Sequence, residues 1–283
     1  MTSQGLEIDG RRLPRIGQGT WFMGERHEAQ AAEIRALQLG LDLGMTLIDT
    51  AEMYADGGAE QVVGRAIAGR RDDVFLVSKV YPHRASRDGA VRACEESLRR
   101  LATDRLDLYL LHWPGSIPLT ETLEAFERLR GQGKILRWGV SNFDTPLMRD
   151  LRALPGGQEC AANQVLYHLA SRGIEFDLLP WQRRHGVPVM AYCPLAQGGA
   201  GARDLLGNAA LQALARERGV APAQAALAWC VRDGDVVAIP KAVDPDHVRQ
   251  NAAAAQLRLT PEERARLDRA FAPPRRKTPL DIV

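Results

Sequence analysis

The chain has 283 residues, of which 45% are apolar and 25% charged, an ordinary balance for a globular protein with a sizeable core. A formal net charge of +2 gives no electrostatic basis for binding nucleic acid or an acidic membrane surface. No apolar run reaches the roughly 18 residues of a membrane helix, and the N-terminus lacks the basic-then-apolar pattern of a signal peptide. The four cysteines, Cys94, Cys160, Cys193 and Cys230, have no short paired spacing, which predicts reduced thiols in a cytoplasmic protein and no zinc site.

In chain order, Asp9-Gly10 between two short strand-like runs predicts a hairpin turn placed to plug the end of a barrel. Strands then alternate with helices: Ile16–Trp21 before a helix over Ala29–Leu43, Met45–Ile48 before one near Glu60–Ala68, and Val74–Ser78 before Arg87–Leu101. Leu106–Leu111 precedes a helix near Thr120–Arg130, and Ile135–Val140 one after Asp144. A sixth strand is expected near Ala161–Asn163 with a helix around Glu175–Arg184, and a seventh at Val187–Ala191. A looser stretch follows, then helices near Ala209–Arg218 and Pro222–Arg232, strand Val236–Ile239 and a helix near Asp246–Ala254. A capped helix, Pro261–Phe271, and an aperiodic tail, Ala272–Val283, close the chain. Eight strand–helix units without a linker predict one α/β domain over residues 1–283, a (β/α)8 TIM barrel with an N-terminal hairpin and a C-terminal helix plus tail. A doubly wound sheet would carry a phosphate-binding glycine fingerprint after its first strand, which Gly17-Gln18-Gly19-Thr20-Trp21 is not.

Three apolar strands end in chemistry-bearing residues. Met45–Ile48 runs into Asp49 with Tyr54 five residues on, Val74–Ser78 into Lys79, and Leu106–Leu111 into His112. In a barrel these ends meet on one face. A free tyrosine, with a pKa of about 10, is too weak an acid for ready use near neutrality. An ammonium about 4 Å away favours the phenolate by about 4 kcal/mol at an effective dielectric near 20, which predicts a lowered tyrosine pKa, opposed by burial. Asp49 would keep Lys79 charged, and His112 would offer a second hydrogen bond to the same oxygen. The set suits proton donation to a carbonyl without a metal or nucleophile. A Schiff-base role for Lys79 or Lys241 is the competing chemistry, and a nicotinamide-binding redox sensor the competing class.

The motifs Ile48-Asp49-Thr50-Ala51-Glu52-Met53-Tyr54, Ser78-Lys79, Leu111-His112-Trp113, Gly139-Val140-Ser141-Asn142-Phe143, Asn163-Gln164, Ala191-Tyr192-Cys193-Pro194-Leu195 and Ile239-Pro240-Lys241 resemble those of the aldo-keto reductases over nearly the whole chain. Within that family the resemblance is to bacterial members that reduce methylglyoxal. It implies hydride transfer from NADPH to small aldehydes and 2-oxoaldehydes, or broad aldehyde reduction, with Tyr54 as general acid, Lys79 and Asp49 as its tuning pair and His112 orienting the carbonyl. It further implies that Ser141, Asn142 and Gln164 bind the carboxamide, that Tyr192 stacks on the nicotinamide beside Leu195, and that Lys241, His247, Gln250 and Asn251 hold the adenosine phosphate end. Trp21 and Trp113 match pocket walls. Ala242 and His247 stand where NADPH-preferring relatives carry a hydroxyl residue and an arginine, and Asp244 and Asp246 add negative charge, so NADH remains open. The short Trp113–Leu119 segment implies an open, unselective pocket. Cys193 reads as a buried structural thiol, Arg275-Arg276-Lys277 as a solvated loop or a lid, and the protein as a monomer.

Overall fold

The structure, a computed structural model, describes residues 6–8 and 10–283. Strands β1 (Glu7–Ile8) and β2 (Arg11–Arg12) pair antiparallel, with Glu7 opposite Arg12 and Ile8 opposite Arg11. Of the expected Asp9-Gly10 turn, Asp9 lies outside the described residues, and Gly10 has the positive φ of 77° that such a turn requires.

Among the described residues, eight parallel strands follow: β3 (Gln18–Gly19), β4 (Leu47–Asp49), β5 (Phe75–Val80), β6 (Leu108–Leu111), β7 (Trp138–Ser141), β8 (Asn163–Leu166), β9 (Val189–Tyr192) and β10 (Val236–Ala238). Each pairs with the next in chain order. The ring closes where the chain just before β3 meets β10: Ile16 bridges Ala238, Gly17 N donates to Ala238 O (2.8 Å), and Ala238 N donates to Arg15 O (3.0 Å). Helices α1 (Gln30–Asp42), α2 (Gly58–Ala66), α3 (Gly89–Leu101), α4 (Leu119–Gly131), α5 (Thr145–Ala153) and α6 (Leu178–His185) each follow one strand. After β9 come α7 (Gly199–Gly207), α8 (Ala209–Arg218) and α9 (Pro222–Cys230); after β10 come α10 (Pro245–Ala254) and α11 (Pro261–Ala270). This is the (β/α)8 barrel expected from the alternation.

Strand alternation divides the core in two. Leu47, Phe75, Val77, Leu108, Leu110, Ala162, Met190, Val237 and Ile239 fill the barrel interior together with Ile8 and Leu13 of the hairpin region, so the hairpin does plug the lower end. The intervening residues, such as Ile48, Leu76 and Tyr109, pack outward under the helices. At the upper end the inward positions become Asp49 and Lys79.

Two glycines in the first strand region are needed for packing within the barrel wall. A Cβ on Gly17 would sit 2.8 Å from Leu47 Cδ2, and one on Gly19 would sit 2.7 Å from Ile239 O. Most element ends shift by a few residues from expectation, and three differences have a local physical reason. The sixth strand is Asn163–Leu166, later than Ala161–Asn163, because the strand carries Asn163 and Gln164 in its fully buried half, which breaks the apolar run. The looser stretch after the seventh strand contains α7, whose three internal or terminal glycines and single buried residue, Leu205, mask its periodicity. The helix expected from Glu175 begins at Leu178, because Glu175 ends a 3-10 turn and receives Arg172, Arg232 and Tyr167 OH.

Gly19→Ala is expected to lower stability by about 1–3 kcal/mol through overpacking against a backbone oxygen, read as a reduced midpoint in thermal or urea unfolding.

Candidate active site

The upper barrel interior holds a linked polar chain. Lys79, on β5, is fully buried and donates to Asp49 Oδ2 (2.8 Å), to Thr50 O (2.8 Å) and to Tyr54 OH (3.1 Å). Its Nζ also lies 4.7 Å from the Tyr54 ring centroid. The other oxygen of Asp49 accepts Gln164 Nε2 at 2.7 Å, which ties β8 to β4 across the barrel. Thr20 Oγ1 donates to Asp49 O at 2.9 Å. The His112 ring meets the Tyr54 ring edge-on at 5.8 Å. Strand ends far apart in sequence are thus brought into one cluster.

The electrostatics correct one expectation. Tyr54 is held well above the ordinary tyrosine pKa, first by burial and then by the nearby Asp49 and Cys193. Lys79 does not produce an ionised phenol in the resting protein: desolvation of the phenolate outweighs the attraction. Burial likewise pushes Asp49 up and Lys79 down, against their mutual ion pair. His112 is lowered well below 6.5 by burial and by Lys79, so its ring is neutral at neutral pH and carries a single N–H. Among the described residues, His112 Nδ1 has no hydrogen-bond partner.

A cavity of about 1280 Å³ opens above this cluster. Asp49, Tyr54, His112, Ser141, Asn142, Gln164, Tyr192, Leu195, Lys241, His247, Gln250, Asn251, Trp21 and Trp113 all line it. Lys79 alone of the expected residues does not; it stands behind Tyr54. Ser141 Oγ donates to Gln164 O (2.9 Å), and Asn142, with φ +61°, donates Nδ2 to His112 O (3.4 Å) and accepts Tyr192 OH (2.9 Å). These bonds cross-brace β7, β8 and β9 at the cavity floor.

Other features were not legible beforehand. Phe22 extends the aromatic wall: it is 48% exposed, has φ +67°, and stacks on Trp21 at 4.6 Å. Its signal was only an aromatic pair after a glycine-rich turn. Cys193 is not a fully buried structural thiol; it is partly exposed on the cavity wall, and its partial burial pushes its pKa up to about 11. Asp244 caps α10, accepting Asp246 N (2.9 Å) and His247 N (3.1 Å), while Asp246 pairs with Arg249 at 3.5 Å. Both carboxylates therefore have partners of their own, unlike the bare negative charge the sequence implied. The tail runs across the cavity mouth, where Leu280, Ile282 and Val283 line it, and Lys277 pairs with Asp177 at 3.0 Å. Among the described residues no helix is long and apolar enough to cross a membrane.

Residues 15–272 match the model of the aldo/keto reductase family. The chain belongs to that family. It is 56% identical to methylglyoxal reductase YeaE of Escherichia coli (strain K12) over 271 residues, 96% of this chain and 95% of that one. It is 35% identical to an aldo-keto reductase of Mycolicibacterium smegmatis over 86% of this chain and 84% of that one. Among solved structures, it superposes with a TM-score of 0.98 on an aldo/keto reductase of Klebsiella pneumoniae in complex with NADP and acetate, at 55% identity and with both chains fully covered. An aldo-keto reductase from the same organism in complex with NADPH superposes at 0.97, with 56% identity over both full chains. As an aldo-keto reductase the protein is an oxidoreductase acting on small carbonyl compounds, which gives the chemical context for the Tyr54–Lys79–Asp49 chain.

The depressed His112 pKa has a testable consequence. As pH falls through about 6.5 the unfolded chain binds a proton at this position that the folded protein refuses, so stability is lost below that pH. Against a His112→Gln variant, the wild-type protein is expected to lose ground between about pH 7 and about pH 5, measured by urea unfolding at both values.

Proposed function

We propose that the chain is a cytoplasmic, monomeric, single-domain enzyme that uses NADPH to reduce small aldehydes and 2-oxoaldehydes such as methylglyoxal. The observation that carries this reading is the buried chain from Asp49 through Lys79 to Tyr54 OH, ending at a cavity whose far side carries amide, aromatic and cationic groups. The family relationship and the Klebsiella complexes with NADP and NADPH supply the cofactor.

The residues present fit that cofactor. The cavity exceeds the roughly 300–1,000 Å³ of an ordinary small-molecule site, room for a dinucleotide and a small carbonyl together. Ser141, Asn142 and Gln164 offer hydroxyl and amide groups suited to a carboxamide, and the ring of Tyr192, fixed by its bond to Asn142, offers a flat face. Lys241, His247, Gln250 and Asn251 would hold the phosphate and adenine end, with Asp244 occupied by the helix it caps. The chemistry the cofactor supplies when bound is donation of a hydride to the carbonyl carbon.

The protein's own part is proton delivery and orientation. A raised pKa keeps Tyr54 protonated through the working range, so the phenol is always ready to donate. As charge builds on the carbonyl oxygen, the phenol proton passes to it and the resulting phenolate stands 3.1 Å from Lys79 Nζ. Lys79 thus stabilises what Tyr54 becomes, an interaction stronger in the transition state than before it. Asp49 and Thr50 O fix the ammonium in place. Neutral His112, with one N–H, orients the carbonyl by a second hydrogen bond, and Trp21 and Trp113 exclude water from the approach. A Schiff-base role for Lys79 is disfavoured by its complete burial and its engagement with Asp49, Thr50 and Tyr54.

Tyr54→Phe is expected to lower kcat for methylglyoxal by roughly 10²–10⁴-fold with NADPH affinity unchanged, measured by NADPH consumption and by cofactor fluorescence titration. Retention of most activity would overturn the donor assignment. Lys241→Met is expected to raise the KM for NADPH by about tenfold or more and that for NADH by less if Lys241 serves the 2′-phosphate, or both alike if it serves the pyrophosphate, measured by NADPH and NADH consumption in parallel.

A further inference from the structure

Tyr54 does not sit on a strand. It follows β4 by five residues, on a segment whose next three residues all have positive φ: Ala55 (50°), Asp56 (49°) and Gly57 (87°). Two of these are not glycine, so the backbone here is held in a conformation it would not choose alone. On either side of this strained segment stands a buried carboxylate that takes no part in the chemistry described above. Glu52 is 5% exposed; its Oε1 accepts Tyr81 N at 2.8 Å and its Oε2 pairs with Arg84 at 2.5 Å. Glu60, in the first turn of α2, is fully buried; its Oε1 accepts Ser78 Oγ at 2.6 Å and its Oε2 accepts Arg100 Nε at 2.6 Å.

The partners are as telling as the acids. Ser78 and Tyr81 flank Lys79 on and just beyond β5. Direct backbone pairing of the two segments fades here: Thr50 N donates to Val77 O at 2.9 Å, and Glu52 N reaches Lys79 O only at 3.5 Å. Apart from the bonds of Lys79 itself to Thr50 O and Tyr54 OH, the two carboxylates carry the polar connection there. Ser78 points out toward the helices while Lys79 points in, so the Glu60 bond grips β5 from the side opposite the active site. Arg100 completes the grip by lying over Gly57, where a Cβ would meet its Cδ at 2.4 Å.

We propose that Glu52 and Glu60 are positioning residues that clamp the strained Tyr54 segment to the Lys79 strand and so set the Tyr54–Lys79 spacing on which proton donation depends. This rests on the reading of Tyr54 as the proton donor. A bond between two carboxylate-held segments is worth most where the geometry has least slack, and a displacement of about 1 Å at a reacting group can cost up to about 10²-fold in rate.

The test compares Glu60→Ala, Glu60→Gln, Glu52→Gln and Ser78→Ala with Asp107→Asn as control. Asp107 is an equally buried carboxylate, paired with Arg11 and Arg71 at the opposite end of β5, away from Tyr54. Glu60→Ala is expected to lower kcat for methylglyoxal by roughly ten- to a hundredfold with little change in KM or NADPH affinity. It should also enlarge the solvent deuterium isotope effect on kcat, because proton transfer from a misplaced phenol becomes slower. Glu60→Gln should recover most of the rate, since its amide oxygen still accepts from Ser78. Glu52→Gln and Ser78→Ala should show smaller losses of the same kind, and Ser78→Ala carries the test if Glu60→Ala does not fold. Asp107→Asn should lower the melting temperature alone. Loss of melting temperature without change in kcat or isotope effect in the Glu60, Glu52 and Ser78 variants would overturn the proposal. Tyr54→Phe assayed in parallel separates the two readings: an inactive Tyr54→Phe beside wild-type clamp variants sinks only the clamp, whereas an active Tyr54→Phe sinks both.

Discussion

The site depends on keeping an ammonium inside a protein. Taking a lysine head group out of water costs several kcal/mol unless every proton finds an acceptor and an opposite charge stands close. Lys79 meets that condition with an ammonium's three donors directed at Asp49, Thr50 O and Tyr54 OH. Asp49 is in turn held on its other oxygen by Gln164, a residue 115 positions away. The closed barrel makes this possible, because it brings β4, β5 and β8 around one axis. Register matters as much as closure. Asp49 stands opposite Val77 on β5, and Lys79 opposite Leu110 on β6. A slip of one residue in β5 would turn Lys79 toward the helices and Ser78 into the barrel. The apolar filling below, from Phe75 to Leu110, fixes that register.

The same burial decides what the tyrosine can do. In water, a nearby ammonium would make a phenol more acidic. In the barrel the phenolate loses its hydration, and Asp49 is close enough to repel it, so Tyr54 stays protonated. A lysine that acts on the phenolate only once it forms adds nothing to ground-state binding and lowers the barrier instead. The elevated pKa is therefore compatible with a donor, and a strongly lowered one would have left much of the enzyme without its proton at working pH. His112 follows the same logic: kept neutral, it adds no second positive charge beside Lys79 and, on the proposed mechanism, would offer one N–H to the carbonyl oxygen.

Much of this architecture was legible in the chain. Apolar runs ending in Asp49, Lys79 and His112 already marked strand ends, and eight alternations of strand and helix already implied closure. What could not be read were features set by tertiary geometry. Nothing in the chain marks the partners of Glu52 and Glu60, and only the packed barrel reveals both acids as buried and bonded to β5 and the residue just beyond it. Asp244 looks repulsive toward a phosphate because its charge is visible in the chain, whereas the capping bonds that occupy its carboxylate are not. The left-handed backbone at Phe22 and Ala55 has no signature in side-chain type, and α7 lies hidden among glycines. The direction of the tyrosine pKa shift is not legible in the chain, because attraction depends on one distance whereas desolvation depends on the whole surrounding volume.

The site also divides into a floor of strand ends and a mouth of loops. Its floor is made of strand ends braced by Ser141, Asn142, Gln164 and Tyr192, each bonded to a neighbouring strand or its loop. Its mouth is made of Phe22 and the tail, with Leu280, Ile282 and Val283 facing the cavity without regular secondary structure behind them. That tail is fastened by polar contacts: Ser171 Oγ to Asp281 at 2.5 Å, Lys277 to Asp177 at 3.0 Å, and Arg172 to Phe271 O at 2.5 Å at its root. The anchors converge on the loop between β8 and α6, so this loop governs where the tail lies. Of these anchors only Lys277–Asp177 is a part-exposed ion pair, which contributes little and weakens with salt; Ser171 and Arg172 are themselves buried. On the proposed mechanism, proton delivery falls to the braced floor, and contact with the outer part of a substrate to the mouth.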